Sequence, residues 1–405
     1  MTLTLLAALL ASNALAVHPP VAAFDDDYGG YDDDGWFPSG TSWPVSQPSD
    51  VPPVPAPKGV QGGVLQDDSP RILRRLDGHL APVRSAVFSP DGKLVLTASW
   101  DGTASLWDAG TGEKKWSSGE PSRSRDQGLQ TAVFSPDGKV IAAGGEDKVV
   151  RLWDAASGAL RATLTGHTAQ IDVVAFSGDG AKIITGSRDG TARIWDAASG
   201  AELRNLVADG GDVSAAALDS DGGRALIGTT QGSAKLWSFR DARAVTLAVE
   251  SPPSFGAKSV GFLAFLSGGS KVLLAQRGLR VLDAASGALE RSFADGEGLG
   301  TVSIDAAERH VAAVDSRSHL RVFDLAGGKL TRDVGPLKSN YGAALSPDGS
   351  RVVLAESLWA VIWRIDYLPE EREAVRRALD QTVEVPAPGN GPGSASNRFR
   401  RNFGK

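Results

Sequence analysis

Two sets of side chains carry the residue types from which acyl-transfer chemistry is built. His79, Thr97, Asp101 and Trp107 recur, each 88 residues further on, as His167, Thr185, Asp189 and Trp195. A hydroxyl, an imidazole and a carboxylate invite a catalytic-triad reading, in which the ring takes the hydroxyl proton and the carboxylate orients the ring. One active site needs only one such set. Duplication at matching spacing instead suits a repeated structural unit, in which a buried hydrogen-bond chain gains rigidity when every member is satisfied. Other chemistries find little material. The chain has no Cys, which removes disulfides, zinc–thiolate sites, thiol catalysis and a lipid-modified N-terminal Cys. Five His without Cys do not assemble the usual transition-metal ligand sets from neighbouring residues. Neither standard glycine-rich phosphate loop nor a Gly-x-Ser-x-Gly nucleophile turn occurs, so no cofactor is expected.

The elements that must hold these residues repeat along the chain. Between apolar runs stand Ser89-Pro-Asp-Gly92, Ser135-Pro-Asp-Gly138, Ser177-Gly-Asp-Gly180, Asp219-Ser-Asp-Gly222, Ser267-Gly-Gly-Ser270, Asp305-Ala-Ala-Glu308 and Ser346-Pro-Asp-Gly349. Pro presets φ for a turn, while Asp and Gly tolerate the conformations that reverse a chain tightly, so seven hairpins are expected. A second marker closes a later strand: Trp107, Trp153, Trp195, Trp237, Leu282, Phe323 and Trp363, separated by 46, 42, 42, 45, 41 and 40 residues. That spacing is the period of a four-stranded propeller blade. Runs such as Val173–Phe176 and Lys182–Thr185 are apolar on both faces, as a sheet sandwiched between two others requires. Abundant glycine, a single Met and short apolar runs favour an all-β fold.

With Gly-His pairs at Gly78-His79 and Gly166-His167, apolar strands, tight turns and closing Trp-Asp dipeptides at 107–108, 153–154 and 195–196, the chain resembles the WD-repeat β-propeller family over residues 71–366. The pattern is strongest in the first three repeats, and the later ones depart from both markers. The resemblance implies a seven-bladed β-propeller with four-stranded blades. Aligning His79 with His167 puts Ile72–Leu76 in register with the outer strand Leu160–Leu164, so the resemblance implies that the N-terminal strand completes blade seven. It also implies that the two His/Thr/Asp/Trp sets are structural, with Thr97 and Thr185 taken in place of Ser99 and Ser187. Blade two keeps Asp147 and Trp153 but has Ala143 at the hydroxyl position. Carried over position by position, the family's docking face falls on Pro82, Arg84 and Trp100 in blade one and on Gln130 and Glu146 in blade two. In blade three it falls on Gln170, Asp172 and Arg188, and in blade four on Asp212, Ser214 and Thr230. Trp and Arg dominate binding hot spots, which singles out Arg84, Trp100 and Arg188.

The flanks read differently. Residues 1–16 form an apolar stretch ending Ala14-Leu-Ala16, read as a signal peptide that lacks a basic start. Its length of about 15 residues falls short of the ~20 needed to cross a bilayer, so no membrane span is expected. Residues 17–69 carry nine Asp against one Lys and a Pro-rich run, and read as a disordered acidic linker. Residues 367–382 read as a short helix and 383–405 as a disordered basic tail. Subtracting −8 for 17–69 and +3 for 383–405 from the total of −6 leaves −1 for the body. A nearly neutral body offers no footprint for nucleic acid. The expectation is a non-enzymatic protein–protein interaction scaffold, secreted or periplasmic, binding one or more proteins. The alternatives are a small-ligand or catalytic propeller using its central channel, and a cytoplasmic location.

Overall fold

The computed structural model describes residues 71–122, 125–247, 259–294, 299–334, 337 and 341–365. The expected signal peptide, acidic linker, C-terminal helix and basic tail lie outside these residues. Among them, 28 strands form seven antiparallel four-stranded sheets. Six sheets are consecutive in the chain, spanning 83–117, 129–165, 171–207, 213–246, 262–293 and 299–334. The seventh takes three strands from 342–364 and its outermost from Arg71–Asp77. This is the seven-bladed propeller that the repeat period implies.

Burial along each blade follows from its place in the ring. Innermost strands such as Leu129–Phe134 and Val213–Leu218 are buried along their whole length. The outermost strand Leu160–Thr165 exposes most positions and buries only Leu164. Neighbouring sheets face one another, so the core lies between blades. One apolar cluster joins Val353, Ala355 and Ile362 of blade seven to Leu96, Ala98 and Trp107 of blade one, and to Ile141 and Trp153 of blade two. Burying a side chain of this size contributes about 1.5–3 kcal/mol.

The Ser-Pro-Asp-Gly turns are built as their chemistry suggests. Ser89 Oγ donates to Asp91 Oδ1 at 2.6 Å and accepts Leu94 N–H at 2.9 Å. Gly92 takes φ +70°, and its N–H closes the turn on Ser89 O at 2.8 Å. Ring closure follows the register read from the sequence: Ile72 faces Trp363, Leu76 faces Ala360 and Asp77 faces Trp359. Leu76 is buried as Leu164 is in blade two, so the strand that precedes blade one contributes an outer-strand anchor to blade seven.

Candidate functional site

The two duplicated sets are hydrogen-bonded chains. In blade one, His79 Nδ1 lies 2.9 Å from Asp101 Oδ2, His79 Nε2 lies 2.7 Å from Thr97 Oγ1, and Trp107 Nε1 donates to Thr97 Oγ1 at 2.8 Å. Blade three repeats this with His167–Asp189 at 2.8 Å, His167–Thr185 at 2.7 Å and Trp195–Thr185 at 2.9 Å. Ser99 and Ser187 do something else: their hydroxyls donate to Ala81 O and Ala169 O, tying the incoming loop to the blade. The carboxylates anchor the same loops, since Asp101 accepts Leu80 N–H and Asp189 accepts Thr168 N–H.

Electrostatics fixes the direction of the chain. Burial works against the Asp101 carboxylate, but hydrogen bonds from His79, Thr103 and the Leu80 amide, with the attraction of His79, hold it at about 2. Burial likewise opposes Asp189, and Thr191, the Thr168 amide and His167 hold it at about 2. Burial pushes His167 below its ordinary value against the pull of Asp189, which keeps the ring neutral. A carboxylate only accepts, so Nδ1–H of His167 donates to Asp189 and Nε2 accepts from the Thr185 hydroxyl. The Thr185 oxygen then accepts the indole N–H. The order of groups is that of a hydrolase relay, yet the His79 and Asp101 side chains have no exposure and each Thr oxygen is already held by an indole. No substrate atom can reach the hydroxyl, so these sets lock loops to blades.

The second group of sequence-derived residues gathers at the opposite ends of the innermost strands from the Ser-Pro-Asp-Gly turns. Arg84 stands between two aromatic rings, 4.6 Å from the Trp100 centroid and 4.8 Å from that of Tyr341, and its Nε donates to Gln130 Oε1 at 3.0 Å. Gln130 Nε2 reaches Glu146 Oε1 at 3.5 Å. A continuous polar chain thus runs from blade seven through blade one to blade two. In blade three, Gln170 Nε2 donates to Asp172 Oδ1 at 2.7 Å and Arg188 Nε to Asp172 Oδ2 at 3.0 Å. In blade four, Ser214 Oγ donates to Val260 O at 2.8 Å, and Thr230 Oγ1 accepts Asp212 N–H at 3.1 Å. Pro82 contributes its carbonyl to Trp100 N–H at 3.0 Å.

These groups feel one another. Burial lowers the Arg84 guanidinium, partly offset by Tyr341, Asp172 and Glu146. Burial raises Asp172 against the pull of Arg188 and Gln170, with Asp212 adding to the rise. Burial works against the charge of Arg188, but Asp172, Glu146 and Asp212 together raise it. Three carboxylates and two guanidinium groups therefore share one electrostatic neighbourhood. Arg188 is exposed, Trp100, Glu146 and Asp212 are half-buried, and Gln130 and Asp172 are buried. Tyr341 is the participant that motif reading missed. The signal was present: Arg84, Gln130, Asp172, Ser214 and Tyr341 each stand five residues before the turn that begins at Ser89, Ser135, Ser177, Asp219 and Ser346. Among the described residues no group of three or more His, Cys, Asp or Glu is placed to hold a metal ion, and no helix is long and apolar enough to cross a membrane.

Comparison with known proteins agrees with this architecture. The family model described as "WD domain, G-beta repeat" matches residues 70–108, 125–154 and 158–196. The chain is 49% identical over 37 residues to a periodic tryptophan protein 2 homolog of Neurospora crassa, covering 9% of this chain and 4% of that protein. It is 50% identical over 40 residues to the small ribosomal subunit protein RACK1z of Oryza sativa subsp. japonica, and 51% over 39 residues to RACK1y of the same organism. Each of those two alignments covers 10% of this chain and 12% of the relative. The chain thus spans a small fraction of the curated relatives it matches. It carries WD repeats over residues 70–196 and folds as a β-propeller of seven four-stranded blades.

Proposed function

We propose that the chain is a protein-interaction scaffold that docks its partners on the face formed by Trp100, Glu146, Arg188 and Asp212 of blades one to four. The supporting observation is the inter-blade chain Tyr341–Arg84–Gln130–Glu146, beside the Asp172–Arg188 pair, on one face of the ring. Side chains already fixed by one another lose little further entropy when a partner arrives, and the exposed Arg188 and half-exposed Trp100 are the residue types that dominate such contacts. Arg84, expected from the sequence as a contact residue, works here as the support that holds Trp100 in place.

The experiment is crosslinking capture with the full chain, comparing wild type with a Trp100→Ala/Arg188→Ala variant whose melting temperature is matched. Loss of a defined protein from the variant supports the reading. Recovery of the same proteins by both chains refutes it for this face. The meeting of Glu146, Asp172 and Asp212 around Arg188 favours, as a second reading, a small ligand at the channel mouth, and saturable binding of a small ligand that Arg188→Ala abolishes would select it. Export belongs to the same proposal: N-terminal sequencing of the mature protein should begin at Val17, and an intact Met1 would place it in the cytoplasm.

A further inference from the structure

At the other end of the ring, adjacent hairpin turns touch through a repeated contact. A Cβ on Gly138 would lie 3.6 Å from Pro90 Cδ, one on Gly180 3.5 Å from Pro136 Cδ, and one on Gly92 3.4 Å from Pro347 Cδ. The Pro of one turn thus packs on the Gly of the next. Between blades five and six both members are replaced. Blade five offers Gly268, beside which a Cβ would meet nothing within 4 Å. Blade six carries Glu308 at φ +52°, in the left-handed position that Gly92, Gly138, Gly180, Gly222 and Gly349 occupy elsewhere. Ser267 faces it with φ +50°, and its N–H donates to Glu308 Oε2 at 2.8 Å. Two non-glycine residues held in this region across one gap store strain of the kind that gathers at ligand sites.

Ser267 and Glu308 line a cavity of about 310 Å3, at the lower end of the ~300–1,000 Å3 of small-molecule sites. Leu266, Val281 and Leu325, all buried, supply its apolar floor. Lys271 and Glu290 pair with each other at 2.6 Å on the rim and cancel. Two charges remain on the walls: Arg291, which lends one nitrogen to Leu325 O and Ala326 O, and Glu308. Burial holds the Glu308 carboxyl above its ordinary value; the Ser267 amide opposes this and Asp305 adds to it. Arg291 is exposed and Glu308 half-buried, so a ligand bearing both charges meets a partner on each wall, while one bearing a single charge leaves one wall unmatched.

We propose that this cavity binds a small zwitterion of the size of one aliphatic α-amino acid, its ammonium at Glu308, its carboxylate at Arg291 and its side chain on the Leu266, Val281 and Leu325 floor. The site is independent of the docking face, which lies at the other end of the strands.

The test is a thermal-shift and calorimetric titration of the full chain with L-leucine, leucinamide and 4-methylpentanoate, which keep both charges, the amine alone and the acid alone. Leucine at about a hundred times its dissociation constant should raise the melting temperature by roughly 2–8 °C, and each single-charge analogue should bind at least tenfold more weakly. Glu308→Gly places at that φ the residue the other turns carry, so the variant should melt no lower than wild type while losing the leucine shift. Arg291→Ala should lose it too. No shift of wild type with leucine up to 10-millimolar order, equal binding of leucinamide, or a leucine shift retained in Glu308→Gly would each overturn the proposal.

Discussion

Replacing Thr185 by Val removes one oxygen and almost no volume, which makes it a sharp test of the locked chain in blade three. That oxygen accepts the Trp195 indole N–H at 2.9 Å and its proton serves His167 Nε2 at 2.7 Å. Thr185 has no exposure, and Trp195 is 2% exposed, so water cannot replace the lost partner. Two buried polar groups are left unsatisfied at about 1–3 kcal/mol each, so a loss of roughly 2–5 kcal/mol is expected. Thr185→Ser keeps the hydroxyl and deletes one methyl group, with an expected loss of about 1 kcal/mol. Urea denaturation of the full chain followed by tryptophan fluorescence and by circular dichroism measures the difference, with coincident curves required before a free energy is taken. The valine variant should be the weaker by at least about 1 kcal/mol. If Ser and Val variants agree within about 0.5 kcal/mol, or the Val variant is the more stable, the hydroxyl is not the keystone of blade three.

Deleting residues 71–77 strips blade seven of the strand that pairs with Trp359–Arg364 and exposes an unpaired edge; the melting temperature should fall by more than 10 °C in order of magnitude, and an unchanged value would refute closure by this strand. Gly145→Ala places a Cβ 2.8 Å from Leu129 Cα and 2.9 Å from Gln130 N, backbone atoms that cannot swing aside, so a loss of about 2 kcal/mol or more is expected in the same denaturation assay. Acid should weaken the fold in two steps. His167 binds protons less readily folded than unfolded, so its contribution is present above its ordinary value near 6.5 and declines as pH falls below it. Asp101 and Asp189, at about 2 when folded against an ordinary 3.8, contribute stability above pH 4 that disappears as pH falls toward 2. A melting temperature that is flat from pH 7 to 3 would contradict both. Hydrogen exchange should be slowest in blades one and three, where the chains are complete, and faster in blades four to six; uniform protection across the ring would count against the locking role.

What could be read in the sequence, and what could not, divides along the range of the interactions. The Ser-Pro-Asp-Gly turns are set by bonds that span two to five residues, such as Ser89 to Asp91 and Leu94, so their spacing alone shows the blades. The His/Thr/Asp/Trp chains span 28 residues within one blade and survive as a fixed pattern because both ends repeat together. Arg84 shows where such reading stops. Its residue type marks it as a contact for a partner, but closing the ring sets Tyr341, 257 positions away in the chain, against its other face. The half-buried guanidinium is thereby flanked by two rings of its own molecule, whereas Arg188, bonded to Asp172, stays exposed. The cavity at blades five and six is hidden for the same reason. Gly268 and Glu308 look like decay of a turn motif when each turn is taken alone. Only adjacency, which sets the Ser267 N–H of one turn on the Glu308 carboxylate of the next, turns two degenerate motifs into a strained, charged pocket.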